Sequence, residues 1–230
     1  LGLNDSYPII MAGSTHPGEE KALFDAFKKV REKYADARLV IAPRKTNRAD
    51  EISKLASSYG YETGYRSKML ENPNLRKAYP VVLLDTIGEL GRIYAVGDVV
   101  FVGGSLCKTG GHNVLEPAAH AKPILVGPNM QNFKDSYSLL SKVGACKMVN
   151  NVAELANEMI DIIGNDERRE KMGAASLQVI KENRGADIRS IHYLKELLDL
   201  TSVPSREYAS YPINTRGIND EVGGGLRHSD

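Results

Sequence analysis

Short apolar segments alternate with longer amphipathic segments along most of the chain, and this alternation restricts the fold more than any other feature of the sequence. Five segments are dominated by aliphatic residues, and they span residues 8–12, 38–42, 81–85, 98–104 and 123–127. Strands that are apolar on both faces are typical of a parallel sheet covered by helices on both sides. The pattern therefore predicts an α/β fold with a Rossmann-like, doubly wound parallel sheet.

Weaker strands are predicted at residues 61–66 and 146–149. Helical periodicity predicts helices at about residues 19–34, 49–59, 87–95, 113–121 and 132–143, and two more between residues 152 and 200. The last thirty residues lose this periodicity and are rich in Ser, Gly, Asn and Arg. Composition of this kind predicts a flexible tail or linker over residues 201–230, after one domain over residues 1–200.

Charge and cysteine content exclude several classes of function. The 30 basic and 29 acidic side chains give a net charge of +1, so no nucleic-acid partner is predicted. No apolar run approaches the ~20 residues that cross a bilayer, so this chain is expected to be soluble, with no membrane segment of its own. The two cysteines form no CxxC motif, which favours a reducing compartment and neither a zinc site nor a disulfide framework.

In doubly wound sheets, ligands bind outside the carboxyl ends of the strands. The segments to inspect are therefore those that directly follow predicted strands, namely residues 13–16, 43–45, 85–90, 103–118 and 127–133.

The segment GGSLCKTGGHNVLEPA at residues 103–118 places two glycine pairs before a predicted helix start. A glycine-rich loop that leads into a helix can cradle a phosphate with backbone N–H groups. On this interpretation Gly110, Gly111, His112 and Asn113 hold a phosphate, and Glu116 accepts hydrogen bonds from a ribose. An ordinary tight turn, with Asn113 as N-cap and Glu116 completing a capping box, explains the same residues. The segment matches neither the P-loop nor the GxGxxG pattern.

The segment GSTHPGEE at residues 13–20 is a second junction of this kind. Ser14 and Thr15 offer hydroxyl and N–H groups to a ligand, or one of them caps the next helix. His16 and His112 both follow predicted strands and could meet in space. Because no HxH or HExxH motif is present, we expect hydrogen bonds from these histidines to phosphate or sugar, and no metal.

Charged residues follow two further strands. Arg44 and Lys45 are either solvated loop charges or cations that offset a phosphate or carboxylate, for which the planar guanidinium of arginine is well suited. Asp85 is expected to cap the helix at about residues 87–95, and Glu89 to interact with the dipole of its first turn.

Together, the segments GSTHPGEE, PRK, LLDTIGELGRIYAVGDVVFVGGSL, GGHNVLEPAAHAKPILVGP and NF have the order and spacing found in the Kdo transferases. The chain resembles the C-terminal half of these enzymes over about residues 8–185. The resemblance implies one half of a GT-B fold, in which the C-terminal domain binds the nucleotide sugar CMP-Kdo. It also implies that the acceptor site, the membrane anchor and the catalytic base, a glutamate, belong to the N-terminal half.

The resemblance assigns donor contacts by motif. It implies that Ser14, Thr15 and His16 face the donor and that Arg44 meets its charged groups. It further implies that residues 110–113 cradle the phosphate, that Glu116 contacts the ribose, and that Asn132 lies close to the donor. The family usually has histidine where this chain has Lys45, and residues 107–109 also depart from the family pattern.

The function that the resemblance implies is donor binding in an inverting glycosyltransferase that transfers Kdo to lipid A precursor, with no cofactor and no metal. The full-length enzyme would act at the cytoplasmic side of the bacterial inner membrane. The isolated domain is expected to be inactive. Two alternatives stay open: another GT-B protein that uses a UDP-sugar, either a transferase or a UDP-GlcNAc 2-epimerase, and a non-catalytic nucleotide-binding module.

Overall fold

A seven-stranded parallel sheet organises the computed structural model, which describes residues 1–3, 6–77 and 79–183. The strands are β1 Ile9–Thr15, β2 Arg38–Pro43, β3 Thr63–Tyr65, β4 Val81–Leu83, β5 Val99–Val102, β6 Ile124–Val126 and β7 Cys146–Met148. Their order across the sheet is β3-β4-β2-β1-β5-β6-β7, and every neighbouring pair is parallel. The predicted fold class, a Rossmann-like doubly wound sheet, is confirmed.

Helices cover both faces of this sheet. They are α1 Glu19–Lys33, α2 Ala49–Ser58, α3 Arg66–Glu71, α4 Leu90–Ile93, α5 Leu115–Ala119, α6 Lys134–Lys142, α7 Val152–Ile163 and α8 Asp166–Asn183. Successive strand residues point to opposite faces, so each strand contributes to two cores. In β1, Ile10 and Ala12 pack with α1, α2 and α7, whereas Ile9 and Met11 pack on the face of α5, α6 and α8.

Phe101 in β5 is fully buried in the first of these cores. Burial of a side chain of this size contributes about 1.5–3 kcal/mol to stability. Aliphatic or aromatic residues on both faces of a central strand, as the sequence has them, are what a doubly covered sheet requires.

The order in which strands are added to the sheet reverses between β1 and β5. Strands β2 and β4 lie on one side of β1, and β5, β6 and β7 lie on the other. At such a topological switch point the connections leave on opposite faces and open a crevice beyond the carboxyl ends of the two strands. The crevice here lies beyond residues 15 and 102, which is where the segments selected from the sequence converge.

Three boundaries differ from the sequence-based prediction. Strand β1 continues to Thr15, so Ser14 and Thr15 belong to the strand and not to the loop after it. The helix predicted at residues 87–95 is α4 with a following 3₁₀ turn, because Gly88 adopts a left-handed conformation that no helix contains. Helix α3 lies where a short strand was predicted to end; it buries only Met69 and therefore shows no apolar periodicity. The tail predicted at residues 201–230, and the predicted helix beyond residue 183, lie outside the described residues.

Candidate functional site

An open cavity of about 400 Å³ lies beyond the carboxyl ends of β1, β2 and β4. Its walls come from three segments of the chain, and they include Ser14, residues 42–47, Leu84, residues 86–88 and Leu90. A second cavity, of about 470 Å³, lies beside β7 and α8 and is lined by none of the predicted site residues. The position of the first cavity, next to the switch point and to the predicted residues, identifies it as the candidate site.

Ser14 has a strained backbone at the rim of this cavity. Its φ is 56°, a left-handed value that is uncommon for a residue with a Cβ atom. The register with β2 slips here, because Gly13 pairs with Ala42 and Thr15 already pairs with Pro43. Ser14 is therefore a β-bulge residue, and bulges of this kind often redirect a side chain next to a functional site.

Neither Ser14 nor Thr15 caps α1, so the alternative prediction, in which one of them is the N-cap of this helix, is wrong. The N-cap residue is Gly18, with φ 96° and no side-chain hydrogen bond to the helix. Thr15 is fully buried and its hydroxyl donates to Glu20 Oε1 at 2.8 Å. Its hydroxyl is therefore engaged inside the protein, and only Ser14 of the two lines the cavity.

The two histidines predicted to meet do so. The Nε2 atoms of His16 and His112 lie 2.8 Å apart, and their rings stack with centroids 5.1 Å apart. His112 is partly buried, and this burial, followed by the proximity of His16 and then of Arg44, lowers its pKa below 6.5. The pair lies at the switch point, since His16 follows β1 and His112 ends the loop after β5.

Arg44 and Lys45 are both exposed and both line the cavity. The Arg44 backbone N–H donates to Thr15 O at 3.0 Å, which fixes the chain where it leaves β2. Within the described residues the guanidinium of Arg44 has neither a hydrogen-bond partner nor an ion-pair partner. It is a cation beside the histidine pair that is free to bind an anion.

Gly110 and Gly111 are both required by the packing of the chain itself. Their φ angles are 99° and 77°. A Cβ atom on Gly110 would lie 2.7 Å from Asn132 Cγ, and one on Gly111 would lie 3.0 Å from Met130 Cε. The conformation and the contacts thus explain the second glycine pair without a ligand, which the sequence alone did not reveal.

Asn132 holds the loop of this second glycine pair in place. Its backbone N–H donates to Gly110 O and its side-chain Nδ2 donates to Thr109 O, each at 3.0 Å. The residue is exposed and lies beside the loop.

The start of α5 differs from the predicted capping box. The N-cap residue is Val114, not Asn113. Asn113 Oδ1 accepts from the Leu115 N–H at 3.0 Å, and Asn113 Nδ2 donates to Glu116 Oε1 at 3.2 Å. Because Glu116 is bonded to a side chain and not to a backbone N–H, it completes no capping box. Its exposed carboxylate keeps Oε2 unbonded within the described part of the chain.

Asp85 and Glu89 hold the loop that forms one wall of the cavity. Asp85 accepts from the Ser67 N–H at 2.8 Å and from its hydroxyl at 2.5 Å, so it anchors the start of α3 and does not cap α4. Glu89 is the N-cap residue of α4; it accepts from Arg66 Nη2 at 2.7 Å and from Thr86 Oγ1 at 2.5 Å. These bonds, that from Arg66 first, lower the pKa of Glu89 to about 2.

Glu19 and Glu20 connect the site segments, although no functional role was predicted for either residue. Both are 1% exposed, in the first turn of α1. Glu19 accepts four backbone N–H groups, from His16, Gly104, Ser105 and Leu106. Glu20 accepts from Thr15 and from Arg48. The only sequence signal for these roles was a pair of adjacent acidic residues at a helix start. Acidic residues at that position are equally explained by a favourable interaction with the helix dipole.

Within residues 1–3, 6–77 and 79–183, no group of three or more His, Cys, Asp or Glu side chains is arranged to hold a metal ion. None of the helices in that part of the chain is long and apolar enough to span a bilayer.

No protein-family model matches the chain, but comparison with known proteins finds similar sequences and similar solved structures, among them two sequence relatives and one solved domain. The 3-deoxy-D-manno-octulosonic acid transferase of Haemophilus influenzae is 34% identical over 194 residues, which are 84% of this chain and 44% of the relative. The enzyme of the same name from Aquifex aeolicus is 32% identical over 155 residues, which are 67% of this chain and 42% of the relative. This chain thus spans less than half the length of both relatives.

One of the similar solved structures is the C-terminal CMP-Kdo binding domain of WaaA from Acinetobacter baumannii. It superposes with a TM-score of 0.69 at 27% sequence identity, over 76% of this chain and 90% of the solved domain. The similarity therefore extends over most of that solved domain and about three quarters of this chain.

Proposed function

Since this chain belongs to the Kdo transferase family and corresponds to its C-terminal domain, we propose that it binds the nucleotide sugar CMP-Kdo at the switch point of its sheet. The fold is the Rossmann-like half of a GT-B glycosyltransferase. The observation that carries the proposal is a group of polar side chains at the carboxyl ends of the strands. Arg44, which has no side-chain partner within the described residues, lines the cavity together with the bulged Ser14 and lies close enough to the His16–His112 pair to affect the pKa of His112.

The phosphate of the donor is the group that this site fits best. Arg44 supplies a cation with a planar set of donors, which suits a phosphate oxygen pair. Gly110, His112 and Asn113 supply backbone N–H groups in a loop whose glycines keep side chains away, whereas the Gly111 N–H is already bonded to the Gly104 carbonyl. The histidine pair adds a ring N–H donor. We propose that Thr15, although buried, shapes the β1 end of the site, and that Lys45 adds positive charge at its outer edge.

The nucleoside is proposed to extend from the phosphate towards α5, where the exposed Glu116 carboxylate accepts hydrogen bonds from the ribose hydroxyls. Asn113, through its bond to Glu116, orients that carboxylate. Asn132 borders the phosphate loop from the β6 side. No cofactor and no metal are needed in this arrangement.

The reaction proposed for the complete enzyme is an inverting transfer of Kdo to lipid A precursor. A hydroxyl of the acceptor attacks the anomeric carbon C2 of Kdo, a base takes the proton of that hydroxyl, and CMP leaves with the bonding electron pair. This domain would stabilise the negative charge that develops on the departing phosphate, through Arg44 and the N–H groups of the loop.

Because this chain spans 44% of the H. influenzae relative, we propose that the base and the acceptor site belong to the remaining length of such an enzyme. The complete enzyme would work at the cytoplasmic face of the bacterial inner membrane, where it would reach its lipid acceptor. The domain alone would bind CMP weakly and would not turn over. Transferase activity from residues 1–230 alone would disprove this division of labour.

The experiment is a ¹⁵N-HSQC titration of the chain with CMP, with UMP as the matched control. We expect CMP to shift the amide signals of residues 14–16 and 110–116 at lower concentration than UMP does. Equal shifts with UMP would favour a GT-B protein that uses a UDP-sugar. If neither nucleotide shifted these signals at millimolar concentration, the proposal that this domain binds the donor would be wrong.

A further inference from the structure

One buried carboxylate holds the backbone on both sides of the histidine pair. Glu19 Oε2 accepts the His16 N–H at 2.9 Å and the Gly104 N–H at 2.7 Å. Glu19 Oε1 accepts the N–H groups of Ser105 and Leu106, at 3.0 and 2.9 Å. The side chain thus joins the end of β1 to the loop after β5, across 85 to 87 residues of sequence.

Backbone dipoles satisfy this buried charge. Glu19 is 1% exposed, and its two oxygens accept four N–H groups at distances between 2.7 and 3.0 Å. Successive N–H groups that point to one place form a concave anion site, of the kind that elsewhere binds phosphate. In this protein a carboxylate of the chain occupies the site at residues 104–106. A ligand phosphate must therefore use other donors, and the N–H groups of Gly110, His112 and Asn113 lie further along the same loop.

The hydrogen bonds continue from Glu19 to His112. Gly104, held by Glu19 through its N–H, accepts the Gly111 N–H through its carbonyl at 2.8 Å. Gly111 directly precedes His112, and the His112 ring lies over Gly104, where a Cβ atom would be 2.9 Å from His112 Cδ2. On the other side, Glu19 holds His16 without an intermediate. The same carboxylate therefore determines where both imidazoles lie.

We propose that Glu19 is the positioning residue of the donor site, because its carboxylate fixes the β1 end and the β5 loop at the separation that brings His16 and His112 together. Glu19 itself would not touch the donor. The effect of Glu19 on nucleotide binding rests on the proposed function. Its effect on the positions of His16 and His112 does not depend on any nucleotide.

The test compares Glu19→Gln with Glu20→Gln. Glutamine has the shape of glutamate, but its NH₂ group would face N–H donors, so one half of the arrangement at position 19 must open. Glu20 is an equally buried carboxylate in the same turn whose partners are Thr15 and Arg48, not the glycine loop. Both variants and the parent are measured by long-range ¹H–¹⁵N spectra of the imidazole nitrogens, by thermal unfolding, and by CMP titration.

We expect Glu19→Gln to lose the Nε2 signals of the paired imidazoles and to bind CMP at least tenfold more weakly, whereas Glu20→Gln keeps both properties. A folded Glu19→Gln variant that retains the paired signals would overturn the proposal. If CMP does not bind the parent, the proposed function fails but the imidazole spectra still decide the role of Glu19.

Glu19→Asp keeps the charge and shortens the side chain by one methylene. It is the variant to test if Glu19→Gln does not fold. An aspartate cannot reach His16 and the loop together, so the paired imidazole signals should again be lost. Their persistence in Glu19→Asp would equally overturn the proposal.

Discussion

His16 and His112 face each other through the same ring atom, with Nε2 to Nε2 at 2.8 Å. A hydrogen bond between two imidazoles needs one Nε2 with a proton and one without. The pair is therefore compatible with two neutral rings or with one added proton, but not with two imidazolium ions. Protonation of both rings would therefore break the hydrogen bond between them.

The first prediction concerns the pH dependence of stability. His112 has its pKa lowered below 6.5, by burial first and then by His16 and Arg44, so between these two pKa values the unfolded chain binds more protons than the folded one. The free energy of unfolding should therefore decrease as the pH falls from 6.5 through the folded pKa of His112. Urea denaturation of the parent and of His112→Gln, between pH 5 and pH 8, measures this difference. A His112 titration midpoint at or above 6.5 by NMR would contradict it.

The second prediction separates Arg44 from Lys45. Arg44→Ala should weaken CMP binding by about tenfold or more, because a hydrogen bond to a charged group contributes about 1.5–3 kcal/mol. It should also raise the pKa of His112, since the positive charge of Arg44 lowers that pKa. Lys45→Ala is the matched control; this exposed residue should contribute a few-fold at most. Isothermal titration and imidazole NMR measure the two effects, and equal loss of affinity in both variants would show that only net charge matters.

The third prediction is that the Asn132 side chain leaves no room for a Cβ atom at position 110. Gly110→Ala places a Cβ atom at a left-handed φ and against the Asn132 side chain, and we expect a loss of about 2–4 kcal/mol in the free energy of unfolding. The double variant Gly110→Ala/Asn132→Ala should lose less than the sum of the single variants. Gly18→Ala is the control, since φ there is 96° but no atom lies within 4 Å of the added Cβ. Strict additivity in urea denaturation would rule out the contact as the cause.

The fourth prediction concerns the wall of the cavity. Glu89 has its pKa lowered from 4.5 to about 2, first by the hydrogen bond from Arg66 and then by that from Thr86. Its contribution to stability is therefore present above pH 4.5 and is lost as the pH falls towards 2. Glu89→Gln should remove this part of the acid dependence, with Glu62→Gln, in an exposed pair with Lys77, as the control. Unfolding curves between pH 2 and pH 6 that have the same shape in Glu89→Gln and the parent would refute it.

The sequence predicted the central strands well because strands covered on both faces must be apolar at every position. It predicted α1 well because Leu23, Phe27 and Val30 recur with helical spacing and are all buried. It did not predict α3, whose single buried residue Met69 gives no period. The bulge at Ser14 also had no signal, because its left-handed backbone depends on the register with β2, which is a property of the assembled sheet.

For the candidate site, the rule that ligands bind at the carboxyl ends of strands was sufficient to bring His16, Arg44 and His112 to one place. The rule depends only on the order of strands and loops, which the sequence contains. The role of Glu19 depends on N–H groups more than 80 residues away, and neither spacing nor composition indicates such partners. The glycines at 110 and 111 were predicted to belong to the site, but in the structure they are explained by the contacts that a Cβ atom would make with Asn132 and Met130.

The fifth prediction concerns the ion pair behind Thr15. Arg48 Nη1 donates to Glu20 Oε1 at 2.6 Å, and the two side chains are 12% and 2% exposed. Arg48→Met would leave the buried Glu20 charge without its cation, and we expect a loss of about 3–5 kcal/mol in the free energy of unfolding. The double variant Glu20→Gln/Arg48→Met removes both charges and should recover part of that loss. Glu51→Gln is the control, because Glu51 binds the same arginine from an exposed position and should change stability by less than about 1 kcal/mol.

The same variants show whether this ion pair also affects the site. Glu20 accepts the Thr15 hydroxyl, and the Thr15 carbonyl accepts the Arg44 N–H, so a Glu20 charge left without its cation should disturb the end of β2. CMP affinity should therefore fall in Arg48→Met and recover together with stability in the double variant. If affinity fell in Arg48→Met but failed to recover when stability did, the arginine would have to act on the donor directly. Its guanidinium would then be a site residue in its own right, and the assignment of the donor cation to Arg44 alone would be wrong.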